Sequence, residues 1–495
     1  MTTDGHGSAV PPRTGITATT AYACTTRIDE LRATEYRHLD RDGRVYLDYT
    51  GAGVAARTQI VAHHDRLLTD LYSNPHSANP TSEAAGSLVE SARRAVLDFF
   101  RADPAEYAVV FTPNASGACR LVGEAYDFGR GRPLVLTWDN HNSVNGIREY
   151  ARAAHVPVRY VPLTGPELRV AEADVIAALT TDRGGLTGRP RRRSSAGSGL
   201  FAYPAQSNFT GVQHPLNWVD LAQQLGYDVL LDAAAFAPTN RLDLSVVRPD
   251  FICLSWYKLF GYPTGVGALL ARRDALARLR RPWFAGGTIR AVSVQGDWHQ
   301  PMGDESGFED GTLNFLSIPD VEFGLSWLGS IGVDLIHTRV KLLTARLLEQ
   351  LTALRHRNGQ PLVRIYGPTT GTARGGTVAF NFHHPDGSLV DERLVAVESS
   401  TAGFALRTGC FCNPGAAEAA FGIDRDLLRH SIRSRPETID QHLAELRLPT
   451  GGAVRVSFGL ASTAADAERF LAFAESTYLD RDGPTDIRLA PRIRC

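Results

Sequence analysis

Between about residues 44 and 330, short apolar runs rich in β-branched residues alternate with segments whose apolar positions recur at helical spacing. YAVVFTPNASGACRLVGEAY (107–126) reads as a strand, a turn of small polar residues and a helix. PLVLTWDNH, VPVRYVPL, LFAYPAQSN, YDVLLDAAA and FICLSWYK are further short strands, most of them separated by helical patterns. VYLDYTG (45–51) is a strand entering a turn, and TSEAAGSLVESARRAVLDFF (81–100) is a helix with Thr81 or Ser82 as its cap. This rhythm predicts an α/β fold of βαβ units, with a mostly parallel sheet covered on both faces.

Two stretches depart from it. TDRGGLTGRPRRRSSAGSG (181–199) has no apolar period and predicts a mobile surface loop. Beyond about 330, TVAFNFHH (377–384), GFALRTG and AVRVSFG (453–459) predict strands interleaved with helices such as LLTARLLEQLTALRHR and TAADAERFLAFAEST. The expected organisation is a flexible tail over 1–25 and a large domain over 26–330, whose N-terminal segment contributes to the small domain. A smaller C-terminal α/β domain follows over 331–478, carrying RTGCFCNPGA (407–416) on a loop, and then a tail over 479–495.

Composition narrows the function classes. The 495 residues carry 52 basic and 53 acidic side chains, a net charge of −1, so no electrostatic footprint for nucleic acid or an anionic membrane is expected. No apolar run approaches the roughly 20 residues that span a bilayer. The N-terminus lacks the basic start and apolar core of a secretion signal, so the expected location is cytoplasmic. Six cysteines (Cys24, Cys119, Cys253, Cys410, Cys412 and Cys495) are too few for a disulfide scaffold, and reduced thiols are the expectation. Cys410 and Cys412 have no second Cys or His pair nearby at a comparable spacing, so no metal site is expected.

The chemistry-bearing residues fall at predicted strand ends, where open parallel sheets bind ligands. TPNASGA leads into a helix, and Asn114, Ala115 and Ser116 there form a candidate anion cradle. Asp232 ends VLLD; a carboxylate at the end of a buried strand needs a partner, such as a protonated ring nitrogen, unless it only caps a local turn. Lys258, in CLSWYKLFGYPTGVGALL, lies either at a surface strand end or desolvated with a lowered pKa, ready for Schiff-base chemistry. A cradle, an aspartate and such a lysine together are what pyridoxal phosphate requires.

SWYKLFGYPTGVGALL resembles the lysine segment of the class V aminotransferase superfamily, and specifically that of the desulfurase domain of molybdenum cofactor sulfurases. YLDYTGAG (46–53), NPHSANPTS (74–82), GGT (286–288), FEDGTLNFLSIPD (308–320), RTGCFCNPGA and GAVRVSFGLAST (452–463) resemble the same family, in its order. The resemblance implies fold type I of pyridoxal phosphate-dependent transferases, and a homodimer. It implies that Lys258 anchors the cofactor and moves the substrate Cα proton, that Asp232 pairs with the ring nitrogen, and that His141 stacks on the ring. Ser116, Ser255 and backbone near Ala115 would hold the phosphate, with Tyr257 beside them and Thr312 reaching in across a dimer interface. Asn208 would lie near the phenolic oxygen. Arg455 would clamp the substrate α-carboxylate, with Arg407 either assisting or organising the loop.

One desulfurase branch carries Arg-Thr-Gly-x-x-Cys, which places the nucleophile on Cys412 and leaves Cys410 as a reserve, a sulfur relay or a packing residue. The implied activity is removal of sulfur from L-cysteine, giving alanine and a Cys412 persulfide for a separate acceptor protein or small molecule. The separate acceptor is expected because eukaryotic molybdenum cofactor sulfurases hold their cofactor on a further C-terminal domain, for which this sequence has no counterpart. Two departures concern the proton relay: Ala235 stands where many desulfurases have glutamine, and Tyr257 where they have histidine. The alternative is a C–S lyase or aminotransferase of secondary metabolism acting on another amino acid.

Overall fold

The computed structural model describes residues 22–128, 133–181, 199–428, 437–446, 448, 450–483 and 489–492. Residues 182–198 of the expected loop, 1–21 of the expected N-terminal tail, and 484–488 and 493–495 of the expected C-terminal tail lie outside these residues. Tyr22–Thr25, counted with the tail, are packed: Arg339 lies 4.1 Å over the Tyr22 ring and donates to Thr25.

Seven strands form the large sheet: β1 (Tyr107–Thr112), β2 (Leu134–Thr137), β3 (Val158–Val161), β4 (Gly199–Pro204), β5 (Tyr227–Asp232), β6 (Phe251–Ser255) and β7 (Gly267–Arg272). Their order is β1-β7-β6-β5-β4-β2-β3. All neighbours are parallel except at β7, which runs antiparallel to both β1 and β6. Alternation explains why most of these strands are apolar on both faces, whereas the edge strand β3 carries Arg159 and is only partly buried. Val229 and Leu231 of β5 enter one core while Leu230 enters the other, and β2 divides Val135 from Leu134 and Leu136 in the same way. The helix over Pro80–Phe99 (α1) covers one face, but its cap is Asn79, which accepts from the Ser82 N–H at 3.1 Å, rather than Thr81 or Ser82. On the other face the helix over Ala115–Ala125 (α2) starts at the end of β1.

The second sheet is antiparallel, in the order β8-β9-β11-β10, from Val363–Tyr366 (β8), Thr377–Phe382 (β9), Arg407–Gly409 (β10) and Ala453–Ser457 (β11). VYLDYTG is the link between the two units. Val45–Tyr46 pairs in parallel with Phe404–Ala405, and Asp48 bridges Ser457. This crossing brings β10 and β11 over the carboxyl ends of the parallel strands. A hairpin over Ile289–Ser293 and Trp298–Pro301 projects from the body with Val294 94% exposed.

Candidate active site

Lys258 sits in a five-residue helix, Trp256–Phe260 (α3), which directly follows β6. Gly261 stops it in the left-handed conformation (φ 82°), and a side chain there would overlap the backbone of Val54 and Ala55. The surrounding protein strips the amine of solvent and lowers its pKa, while the nearby Asp232 carboxylate opposes that shift. Asp232 ends β5, and its Oδ1 accepts from the Ala234 N–H at 3.0 Å. His141 follows β2, and its Nδ1 accepts from the Ser143 N–H at 3.1 Å, so the neutral ring carries its proton on Nε2. Burial, reinforced by the Lys258 charge, pushes the His141 pKa down to about 4. A crevice lined by Thr50, Gln206, Ala235, Thr377 and Phe458 reaches Lys258, and the short side chain of Ala235 contributes to that opening.

The turn expected to cradle an anion lies at the start of α2. Asn114 caps α2 by accepting from Gly117 N–H, and the Ala115 N–H donates to Ser255 Oγ at 3.4 Å. Gly267 lets this turn approach β7, because a Cβ there would meet the Asn114 backbone. Ser116 Oγ pairs with Ser143 Oγ, which links the cradle to the His141 turn. Tyr257 lies within hydrogen-bonding reach of Ser255, and burial raises its pKa.

Cys412 is exposed, on a loop fastened to the large domain at three points. Its own carbonyl accepts from Asn142 N–H at 2.7 Å. The Phe411 carbonyl accepts from Asn208 Nδ2 at 2.8 Å. Asn413 Nδ2 donates to the Asp139 carbonyl at 2.7 Å and to Asn208 Oδ1 at 2.8 Å. Phe411 and Cys412 are both left-handed, with φ of 57° and 54°, a conformation costly for residues other than glycine. Asn413 also caps the helix over Pro414–Phe421 (α4). Asn208 is thus held by the cysteine loop at both ends of its amide, a use the sequence did not suggest. Cys410 is buried and disulfide-bonded, so the expectation of reduced thiols fails there and Cys410 offers no free thiol as reserve or relay.

Arg455, on β11, is 2% exposed. Its Nη1 donates to Asn208 O at 3.0 Å, its Nη2 to Asp48 Oδ1 at 2.8 Å, and its guanidinium lies 4.6 Å over the Phe411 ring. Its Nε is buried with no partner. Burial lowers its pKa and the Asp48 carboxylate opposes this. Arg407, 49% exposed, pairs with the other oxygen of Asp48 at 2.7 Å. Thr312 stands apart: it is exposed and accepts from Asn74 Nδ2 at 3.2 Å. Sequence reasoning missed Asp48, Asn413 and Ser143. Only Asn413 left a local signal, as an asparagine directly before a proline at a helix start.

The family model described as "Aminotransferase class-V" matches residues 45–470, a span that includes every residue of this cluster. The chain belongs to the class-V aminotransferase family. Members of this family are pyridoxal phosphate-dependent. Among curated relatives of this class-V chain, the molybdenum cofactor sulfurase of Solanum lycopersicum is 36% identical over 476 residues, covering 91% of this chain and 57% of the relative. That of Bos taurus is 35% identical over 473 residues, covering 91% and 52%. The chain therefore spans little more than half the length of these relatives. Two solved structures share the fold. The apo cysteine desulfurase of Thermococcus onnurineus has a TM-score of 0.72 at 23% identity, covering 90% of this chain and 97% of that one. The Escherichia coli cysteine desulfurase CsdA, in its S-sulfonic acid form, has 0.69 at 20%, covering 91% and 98%. Among the described residues, no helix is long and apolar enough to cross a membrane and no acidic, His and Cys cluster could hold a metal.

Proposed function

We propose that this chain is a cysteine desulfurase: it binds pyridoxal phosphate, removes the sulfur of L-cysteine as a persulfide on Cys412 and releases L-alanine. The observation that carries the reading is the fastening of an exposed thiol loop beside the His141 turn and over Arg455, close to a desolvated lysine. The donor set fits the cofactor. Lys258 offers an amine of lowered pKa for its aldehyde, Asp232 a carboxylate for its ring nitrogen, and His141 a neutral ring for its face. Ala115 N–H, Ser116 and Ser255 form a cradle for its phosphate, with Tyr257 beside them. Asn208 keeps one N–H beyond its bond to the loop, which serves the cofactor's phenolic oxygen. When bound, the cofactor supplies an electron sink for the substrate Cα.

The protein groups then divide the work. Arg455 binds the substrate carboxylate through its buried, unpartnered Nε, with Arg407 at the mouth. Lys258, neutral more often than an exposed lysine, takes the Cα proton. Cys412, as thiolate, attacks the substrate sulfur. A sulfur–sulfur bond forms, the carbon–sulfur bond breaks, and the carbon retains the bonding pair and is protonated, leaving as alanine. The persulfide then passes to a sulfur acceptor, a protein or a small molecule. The exposed apolar residues of the hairpin and of the helix over Arg57–Thr69, including Val294, Trp298 and Leu68, support a homodimer in which Thr312 reaches the partner's phosphate cradle. The proposed setting is the cytoplasm.

Product analysis tests the reading. Purified protein loaded with cofactor and given L-cysteine should release alanine and accumulate protein-bound sulfur. Pyruvate with free sulfide would identify a C–S lyase instead, and no consumption of cysteine would refute the substrate.

A further inference from the structure

Asp48 has no part in the scheme above, yet it stands between the two arginines that frame the substrate end of the site. Its Oδ1 accepts from Arg455 Nη2 at 2.8 Å, and its Oδ2 accepts from Arg407 Nη2 at 2.7 Å and Nε at 3.0 Å. The backbone holds it there. The Asp48 carbonyl accepts from Gly51 and Ala52 N–H at 2.9 and 3.0 Å, and Thr50 N–H donates to Ser457 Oγ at 2.9 Å. Gly51 is part of this arrangement, because a Cβ there would overlap both the Asp48 carboxylate and Arg407 Nη2.

The consequence is a count of charge. Two guanidiniums and one carboxylate leave a single net positive charge, which one α-carboxylate neutralises. Arg407 is half-exposed and by itself would be a free anchor for a second acidic group, but both its Nε and its Nη2 are taken up by Asp48. A substrate carrying a second acid would meet the Asp48 carboxylate where it needed a cation. We infer that Asp48 is a specificity-determining residue, which restricts the site to amino acids with one acidic group by occupying Arg407 and matching the charge of the Arg455 clamp to a single carboxylate. This inference rests on the assignment of Arg455 to the substrate carboxylate in the proposed function.

The test is amino-acid binding to the cofactor-loaded protein, read from the cofactor's absorbance, so it does not depend on sulfur turnover. L-alanine and L-aspartate are titrated into the wild type and into Asp48→Asn, which keeps the shape and removes the charge. The aspartate-to-alanine ratio of dissociation constants should fall on the order of tenfold in Asp48→Asn, and the change should shrink at high salt. Adding Arg407→Gln to Asp48→Asn should cancel the gain, as expected for coupled neighbours. Arg407→Gln alone should raise the ratio, and it carries the test if Asp48→Asn does not fold. An unchanged ratio in these variants, with both amino acids weakened alike, would make Asp48 a mere brace for Arg455 and overturn the inference alone. A wild-type protein whose cofactor absorbance no amino acid perturbs would overturn the proposed function together with it.

Discussion

Replacing Asn413 with alanine removes the side chain that ties the cysteine loop to the large domain. Asn413 is fully buried. Its amide nitrogen donates to Asp139 O and Asn208 Oδ1, and its Oδ1 accepts from the Ala416 N–H at 3.2 Å. The substitution leaves three buried partners unsatisfied, at about 1–3 kcal/mol each, one of these being the helix cap. Taking the low end for each gives about 3 kcal/mol, a factor of roughly a hundred in the local opening equilibrium. Two of the lost bonds join the loop to its seat and the third caps α4, so the opening should be confined to the loop and α4. Hydrogen exchange should therefore accelerate about a hundredfold across residues 407–421 and stay unchanged in β5 and β6. Sulfur transfer to Cys412 in a single turnover should slow, by at most the same hundredfold, as the share of time Cys412 spends in position falls. Cofactor retention should change far less than sulfur transfer, since Asn413 bonds to neither Lys258 nor Asp232 and frees only the Asn208 amide on the cofactor side. Unchanged exchange over 407–421, or equal acceleration throughout the protein, would refute the claim that Asn413 is a local fastening.

Other consequences can be checked separately. His141 resists protonation in the folded state, with a pKa of about 4 against 6.5 for the free group, so its contribution is present above the free value and is lost as pH falls. Stability should drop by about 2 kcal/mol between about pH 7 and about pH 5 from this group alone, and His141→Gln should show that much less loss in denaturant titrations at the two pH values. Without reductant, an alkylating reagent should label Cys24 and Cys412 but spare buried Cys119 and Cys253 and disulfide-bonded Cys410; labelling of Cys410 in the native protein would contradict its bonded state. Gly261→Ala forces a side chain into the left-handed region against Val54 and Ala55, at about 1–2 kcal/mol before any overlap, and should loosen the Lys258 turn and weaken cofactor retention measured by absorbance after dialysis.

Most strands of the large sheet were legible because burial on both faces writes a run of apolar residues into the sequence, at β1, β4 and β6 alike. Lys258, Asp232 and the Ala115 turn were legible for a related reason. They are polar residues placed directly after such runs, where the strand's own direction carries them to one edge of the sheet. Pairings across long stretches of chain left no such trace. Asp48 reaches Arg407 over 359 positions and Arg455 over 407, and nothing in YLDYTGAG alone says where its carboxylate will go. Asn208 likewise meets Phe411 and Asn413, brought there by a second sheet whose docking no local pattern encodes. The antiparallel course of β7 was equally hidden, since an apolar run has no direction.

The central claim is that Cys412 receives sulfur from L-cysteine in a site organised by Lys258. Its most direct test is the mass of the peptide containing residues 407–416 after the cofactor-loaded protein has met L-cysteine without reductant. The account predicts that Cys412 gains the mass of one sulfur atom, matched mole for mole by alanine. The adduct should be absent in Cys412→Ser and in Lys258→Ala. Alanine production with no adduct on Cys412, or an adduct that persists in Cys412→Ser, would contradict it.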